Sequence, residues 1–163
     1  MTQSLPQVAH EHHERLLHHV DQMPVVADAL LTARAEDVKA GLAEMTAFLT
    51  GTLIPHVDAA ERTMYPELER MFQNRHSMAP MRREHAEIRK LVTALAGLSR
   101  QLGEGQVTIG RTLGVRRVMF QLYALLKVHL AEEEAYLRIV DHGVATDVAD
   151  LMAAAMDHPV GIG

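Results

Sequence analysis

Two segments of the chain each carry a histidine followed by a glutamate and a tyrosine, HVDAAERTMY from His56 and HLAEEEAY from His129. The second segment interrupts an apolar helical pattern. Its Glu133 stands four residues after His129, so both side chains share the apolar face of a helix. Because burying an unpaired charge is costly, a histidine and a carboxylate on that face predict a bound cation, which supplies the missing positive charge.

Two further histidines repeat this arrangement. His13 and His85 are each followed by apolar residues at plus three, seven and ten. The next histidines on long-helix faces, His56 and His129, come 43 and 44 positions later. Antiparallel pairing within two such hairpins places four histidines at one level of a helical core. Imidazoles and carboxylates that face each other in a dry bundle are typical of a pair of metal ions.

The composition favours a helical protein and excludes several classes of function. The 163 residues are 48% hydrophobic but only 4% aromatic, and the apolar mass comes from Leu, Val, Ala and ten Met. A net charge of −5 gives no reason to expect a nucleic-acid partner, and the absence of cysteine excludes disulfides and thiolate metal sites. No apolar run is long enough to span a membrane, and the start lacks a signal-peptide pattern. We therefore expect a cytoplasmic protein, and a monomer.

Apolar residues recur every three or four positions, and strict alternation is absent. This pattern predicts one all-α domain over residues 1–163. We expect an antiparallel up-down four-helix bundle over about residues 6–142 and a short C-terminal helix over about residues 146–156.

Prolines and glycines predict where the helices start, bend and end. The first helix begins near Pro6, with Ser4 as its cap, and bends at Pro24. The second runs from about residue 36 to residue 72 and carries Pro55 and Pro66, so we expect it to be bent or locally re-registered there. The stretches QNRHSMAP and LGEGQVTIG are predicted to be the next two connections.

Together these stretches resemble the hemerythrin-like, HHE cation-binding family. The resemblance covers about residues 8–142 and rests on HHERLLHHV, PHVDAAERTMYPEL, REHAEIRKL and HLAEEEAYLRIV, in this order. It implies a four-helix bundle around a non-heme di-iron centre, in which an oxo or hydroxo bridge joins two iron ions. The iron ligands that it implies by position are four histidines and two glutamates: His13, His56, Glu61, His85, His129 and Glu133.

Glu61 departs from the spacing of that family. The usual pattern is His-x-x-x-Glu, but Ala60 stands four residues after His56, and Glu61 lies about 140° round an ideal helix from His56. Glu61 does lie on an apolar stripe, and a π-bulge at Pro55 brings a five-residue spacing onto one face. We predict that Glu61 replaces the missing ligand. The alternative is an asymmetric site in which Tyr65 or a water fills in.

Other residues near the predicted site leave alternatives open. His12 and His19 lie beside the stripe of His13, and either one supports the site or replaces His13 as the ligand. Tyr65 and Tyr136 follow the two histidine–glutamate segments. Each tyrosine either packs with a satisfied hydroxyl or donates a hydrogen bond toward the iron site.

The resemblance implies small-molecule partners: O2, hydrogen peroxide and NO. We expect a catalase-like oxidoreductase that decomposes hydrogen peroxide, because the unusual position of Glu61 implies a bridging geometry unlike that of an O2 carrier. One alternative is a protein that binds or senses O2 or NO reversibly. Another is an iron-storage protein without turnover.

Overall fold

The computed structural model describes the backbone of residues 5–105 and 107–141, and every element in these ranges is helical. Three of the α-helices follow one another without a loop and form a composite helix over residues 35–71, so the described chain has four long helical stretches. The α-helices are α1 (Leu5–Ala29), α2 (Ala35–Phe48), α3 (Ile54–Ala59), α4 (Tyr65–Met71), α5 (Ala79–Glu104) and α6 (Ile109–Asp141).

Two π-helical segments, Leu49–Leu53 and Ala60–Met64, join the three parts of the composite helix. Each segment ends two residues before a proline, Pro55 or Pro66. A proline inside an α-helix donates no hydrogen bond, and its ring meets the carbonyl four residues back. In both segments the backbone N–H that follows bonds to a carbonyl five residues back, which widens the turn. The helix therefore continues past both prolines.

Ion pairs and hydrogen bonds show how the helical stretches pass one another. Between α1 and α6, residue numbers fall on one helix as they rise on the other: His10 pairs with Glu134, Asp21 with Lys127 and Asp28 with Arg116. The same holds between the composite helix and α5, where Asp58 pairs with Arg89, Glu61 with His85 and Glu69 with Arg82. These are the contacts expected of neighbouring helices that run in opposite directions.

Two clusters of buried side chains form the core. The larger runs along the bundle and draws on all four helical stretches, with members such as Leu16, Leu49, Ile88 and Leu122. The smaller surrounds the buried ring of Tyr65 and also contains Ala60, Leu68, Met78 and Met81. The candidate site, described below, meets the smaller cluster at Tyr65.

Both connections are shorter than predicted, and α5 already begins at Ala79, so the last two residues of QNRHSMAP are helical. Helix α5 continues to Glu104 and α6 begins at Ile109, so the first three and the last two residues of LGEGQVTIG are helical. Leu102 is fully buried and extends the apolar stripe of α5. Its burial outweighs the cost of about 1 kcal/mol for one glycine inside a helix.

Pro24 lies inside α1 without ending it. The predicted cap at Ser4 and the predicted helix over residues 146–156 lie outside the described residues. In the described part of the chain, no helix combines the length and the apolar character needed to cross a membrane.

Candidate metal centre

Each long helical stretch contributes one histidine to the same region of the bundle. His13 comes from α1, His56 from α3, His85 from α5 and His129 from α6. His56 is half-buried and the other three are buried. Helix α6 adds Glu133, fully buried one turn beyond His129. The structure thus brings together five of the six side chains predicted to be ligands.

The Glu133 carboxylate lies between two pairs of histidines. Its Oε2 is 3.2 Å from Nε2 of His13 and 3.1 Å from Nε2 of His56. Its Oε1 is 3.7 Å from Nε2 of His85 and 3.6 Å from Nε2 of His129. We name these groups half-site A (His13, His56, Glu133) and half-site B (His85, His129, Glu133). Within each group the candidate ligand atoms lie within 4.8 Å of one another, so one ion can contact all three.

Carboxylates also contact Nδ1 of three of the four histidine rings. We call Nδ1 the outer nitrogen of these rings, because Nε2 is the nitrogen that faces Glu133. In a neutral imidazole, an Nδ1–H that donates to a carboxylate leaves Nε2 with a lone pair, which here faces the inside of the site. The carboxylate therefore selects the form of the ring that can bind a metal. The Nδ1 contacts are His13 with Glu134 at 3.4 Å, His85 with Glu61 at 2.9 Å, and His129 with Glu84 at 2.9 Å.

Half-site B needs a positive charge between its two rings. The Nε2 atoms of His85 and His129 are 3.0 Å apart, and two lone pairs at that distance repel unless a proton or a cation lies between them. Burial lowers the pKa of His129, but the carboxylates of Glu133 and Glu84 outweigh it and raise that pKa above its usual value. Burial and the charge of His129 lower the pKa of His85 to about 4. Of the two rings, His129 therefore holds a proton more readily than His85, and a metal ion can take the place of that proton.

Glu133 itself stays ionised. Burial raises its pKa, but the contacts with the rings of His129, His13 and His56 outweigh that effect and hold the pKa well below the usual value for a glutamate. A carboxylate must be deprotonated to bind a metal, so the surroundings of Glu133 prepare it for that role.

Glu61 lies at the edge of the site. Its Oε1 accepts hydrogen bonds from Nδ1 of His85 and from Arg89, both at 2.9 Å. Neither half-site includes its carboxylate, and the buried Ala60 occupies the position of the usual family ligand. Direct ligation by Glu61 therefore stays a prediction, while the observed contact is with the outer face of a histidine.

The other candidates on the first helix lie outside both half-sites. His12 is half-buried, and its ring centroid is 5.0 Å from that of His56. His19 is exposed and stacks on Phe48. Of the three histidines, His13 is the one whose ring nitrogen contacts Glu133.

Tyr65 reaches the centre of the site. Its position favours the second alternative given above, a hydroxyl that donates a hydrogen bond toward the site. Its hydroxyl donates to Oε1 of Glu133 at 2.6 Å and lies 3.0 Å from Nε2 of His85. Burial and the Glu133 charge raise the pKa of Tyr65, so the hydroxyl keeps its proton. Tyr136, in contrast, packs beside Phe72.

We expect Tyr65→Phe to destabilise the metal-free protein by about 1–3 kcal/mol, because a buried carboxylate then loses a donor. Urea unfolding of chelator-treated protein measures this loss. Tyr123→Phe is the matched control, since Tyr123 packs against the larger core cluster instead. Equal stability of the two variants would contradict the importance of the bond to Glu133.

Two supporting residues, Glu84 and Glu134, were not identified from the sequence. Each directly neighbours a site residue, Glu84 before His85 and Glu134 after Glu133, but each contacts a ring on a different helix. Periodicity reports which residues share one helix face, and it carries no information on the contacts that such neighbours make across the bundle.

One of the comparisons with known proteins identifies the family of this chain. The family model described as the hemerythrin HHE cation binding domain matches residues 6–137. No curated protein and no solved structure matches the chain. The family match spans most of the sequence and includes every residue of both half-sites. The chain therefore belongs to the hemerythrin HHE cation-binding domain family.

Proposed function

We propose that this chain is a non-heme di-iron protein on an antiparallel up-down four-helix bundle, and that its iron centre decomposes hydrogen peroxide. The observation that carries the proposal is the position of Glu133, a buried carboxylate with one oxygen toward each pair of histidines. In this assignment Glu133 would hold two ions, with one carboxylate oxygen for each half-site.

The donor set suits iron. Each half-site offers two imidazole nitrogens and one carboxylate oxygen, and two histidines with one carboxylate are the characteristic protein ligands of non-heme iron sites with open positions. Tyr65 places a further oxygen beside half-site B. Nitrogen ligands argue against calcium and magnesium, which prefer oxygen. With three protein ligand atoms in each half-site, a bound ion would keep positions for a small molecule.

Peroxide decomposition converts two molecules of hydrogen peroxide into two of water and one of O2. A bound iron pair would supply the electrons for this exchange and take them back. The protein's own contribution is to hold the imidazoles in their metal-binding form through Glu61, Glu84 and Glu134, and to surround the site with buried side chains.

The test is metal content and O2 evolution on tag-free protein loaded with ferrous iron. We expect two irons per chain, and O2 release from hydrogen peroxide over repeated additions without loss of iron. His76→Ala is the control for loss of a histidine outside the site, because His76 is exposed in the connection between α4 and α5.

Three outcomes would replace this proposal. A reversible oxy spectrum without O2 evolution from peroxide would indicate an O2-binding protein. Iron that leaves on reduction, without turnover, would indicate storage. Absence of tightly bound iron in the wild-type chain would remove the di-iron assignment itself.

A further inference from the structure

A row of three charged side chains connects half-site B with the protein surface. Nδ1 of His85 is 2.9 Å from Oε1 of Glu61, and Nη1 of Arg89 donates to that same oxygen at 2.9 Å. Nη2 of Arg89 donates to Asp58 at 2.7 Å. We name Asp58, Arg89 and Glu61 the flanking triad. None of the three belongs to either half-site.

Exposure increases along this row. The side chain of His85 is fully buried, Glu61 is 27% exposed, Arg89 is 36% exposed and Asp58 is 45% exposed. Glu61 therefore lies where water competes for its carboxylate, and a single contact with His85 would hold it weakly. The bond to Arg89 fixes the carboxylate on the His85 side.

Arg89 uses two different nitrogens for its two partners. The planar guanidinium holds both carboxylates in one fixed arrangement, which the single ammonium of a lysine does not reproduce. Asp58 and Glu61 both lie on the composite helix, and Arg89 lies on α5. The flanking triad therefore also sets how closely the Glu61 carboxylate approaches His85 across two helices.

The contact at Nδ1 decides what His85 presents to the inside of the site. While Nδ1–H donates to Glu61, the free lone pair is on Nε2, the nitrogen that faces Glu133 and His129. If the carboxylate moves away, Nδ1 loses its acceptor and the proton can move to Nε2. That form of the ring cannot bind a metal through Nε2.

We propose that the flanking triad is a positioning device for His85, and that Arg89, through Glu61, sets the metal affinity of half-site B selectively. This inference rests on the proposed metal function. It differs from direct ligation by Glu61, because Glu61 acts here through the histidine ring and not on the ion.

Two measurements test the proposal on the full chain. The first uses ¹⁵N NMR of the histidine rings in metal-free protein to report the tautomer of His85. The second titrates Zn²⁺ calorimetrically and resolves the affinities of the two sites. The variants are Arg89→Gln, Arg89→Lys and Asp58→Asn, with Lys90→Gln as the matched control. Lys90 neighbours Arg89 on α5 and pairs with the exposed Glu87, away from the site.

For the wild-type protein and Lys90→Gln we expect the Nδ1–H tautomer of His85 and two tight Zn²⁺ equivalents. Arg89→Gln should mix the tautomers and weaken one of the two equivalents about 10–100-fold, the usual effect of losing a partner that orients a ligand. Arg89→Lys should restore the affinity only in part, and Asp58→Asn should give a smaller loss of the same kind.

A double-mutant cycle shows whether the effect passes through His85. In a His85→Ala background, Arg89→Gln should change neither remaining affinity, because the ring that it positions is gone. An unchanged His85 tautomer, equal weakening of both sites, or an effect that persists without His85 would overturn the proposal. Wild-type protein that binds no metal would instead refute the proposed function, while the NMR measurement would still test the contact of the triad with His85.

Discussion

Replacing Glu133 with alanine should abolish binding of both metal ions, although only one side chain is lost. The Oε2 atom serves half-site A and the Oε1 atom serves half-site B. Without them each half-site retains two neutral donors, and the four imidazoles have no central negative charge to offset two cations. We expect iron content to fall from two per chain to near zero, with loss of peroxide turnover.

Comparison with His56→Ala tests whether the loss of both ions comes from the contact of Glu133 with both half-sites. His56 belongs to half-site A alone, so its removal should weaken one ion and leave the ion of half-site B in place. Glu44→Ala, at an exposed position on α2, is the control for loss of a helical glutamate. Metal analysis together with circular dichroism separates loss of metal from loss of fold. A Glu133→Ala protein that keeps one iron would show that the carboxylate does not bridge.

Metal removal should lower the thermal midpoint of unfolding strongly. An ion at a thousandfold excess over its Kd stabilises the folded state by about 4 kcal/mol. Two such ions contribute about 8 kcal/mol, and for a chain of 163 residues each kcal/mol moves the midpoint by about 2–4 °C, so we expect chelation to lower it by roughly 16–32 °C. Differential scanning calorimetry with and without chelator measures the shift.

The Glu133→Ala protein is the control for that experiment. Since it should bind no metal, chelator should leave its midpoint unchanged. A large shift in this variant would mean that the ions bind elsewhere, for example at the exposed histidines His10 and His18 of α1. No shift in the wild-type protein would mean that metal binding contributes little to the stability of the bundle.

The sequence predicts the helices and most of the buried site because both follow from the same pattern, in which buried residues recur every three or four positions. His129 and Glu133 share a stripe with Leu122 and Leu126, and all four side chains are buried in the structure. A polar residue on such a stripe is conspicuous, since burial without a partner is costly. The same argument identifies His13 and His85, each within the apolar stripe of its own helix.

Contacts between helices could not be predicted in the same way. The role of Glu61 depends on how far α5 is shifted along the composite helix, which sets whether its carboxylate meets the inner or the outer nitrogen of His85. Arg89 competes for the same oxygen, and periodicity does not report such pairs. The sequence did indicate a π-bulge at Pro55. At Pro66 it indicated a bend or a local change of register, but not that this takes the form of a second π segment, Ala60–Met64, directly before Tyr65 and Pro66.

That second π segment changes the direction in which the side chains after it point from the composite helix. His56 and Tyr65 are nine residues apart, and nine residues of an ideal α-helix turn about 900°, which leaves the two side chains on opposite sides. Both side chains nevertheless reach Glu133, His56 at Oε2 and Tyr65 at Oε1. A π turn contains more residues than an α turn, so each residue rotates the helix by a smaller angle. The π segment therefore changes the angle between His56 and Tyr65 and lets both side chains reach Glu133. The composite helix therefore presents side chains to the site from two different helical phases. The part before the second π segment directs a histidine nitrogen into the site, and the part after it directs a phenol into the site.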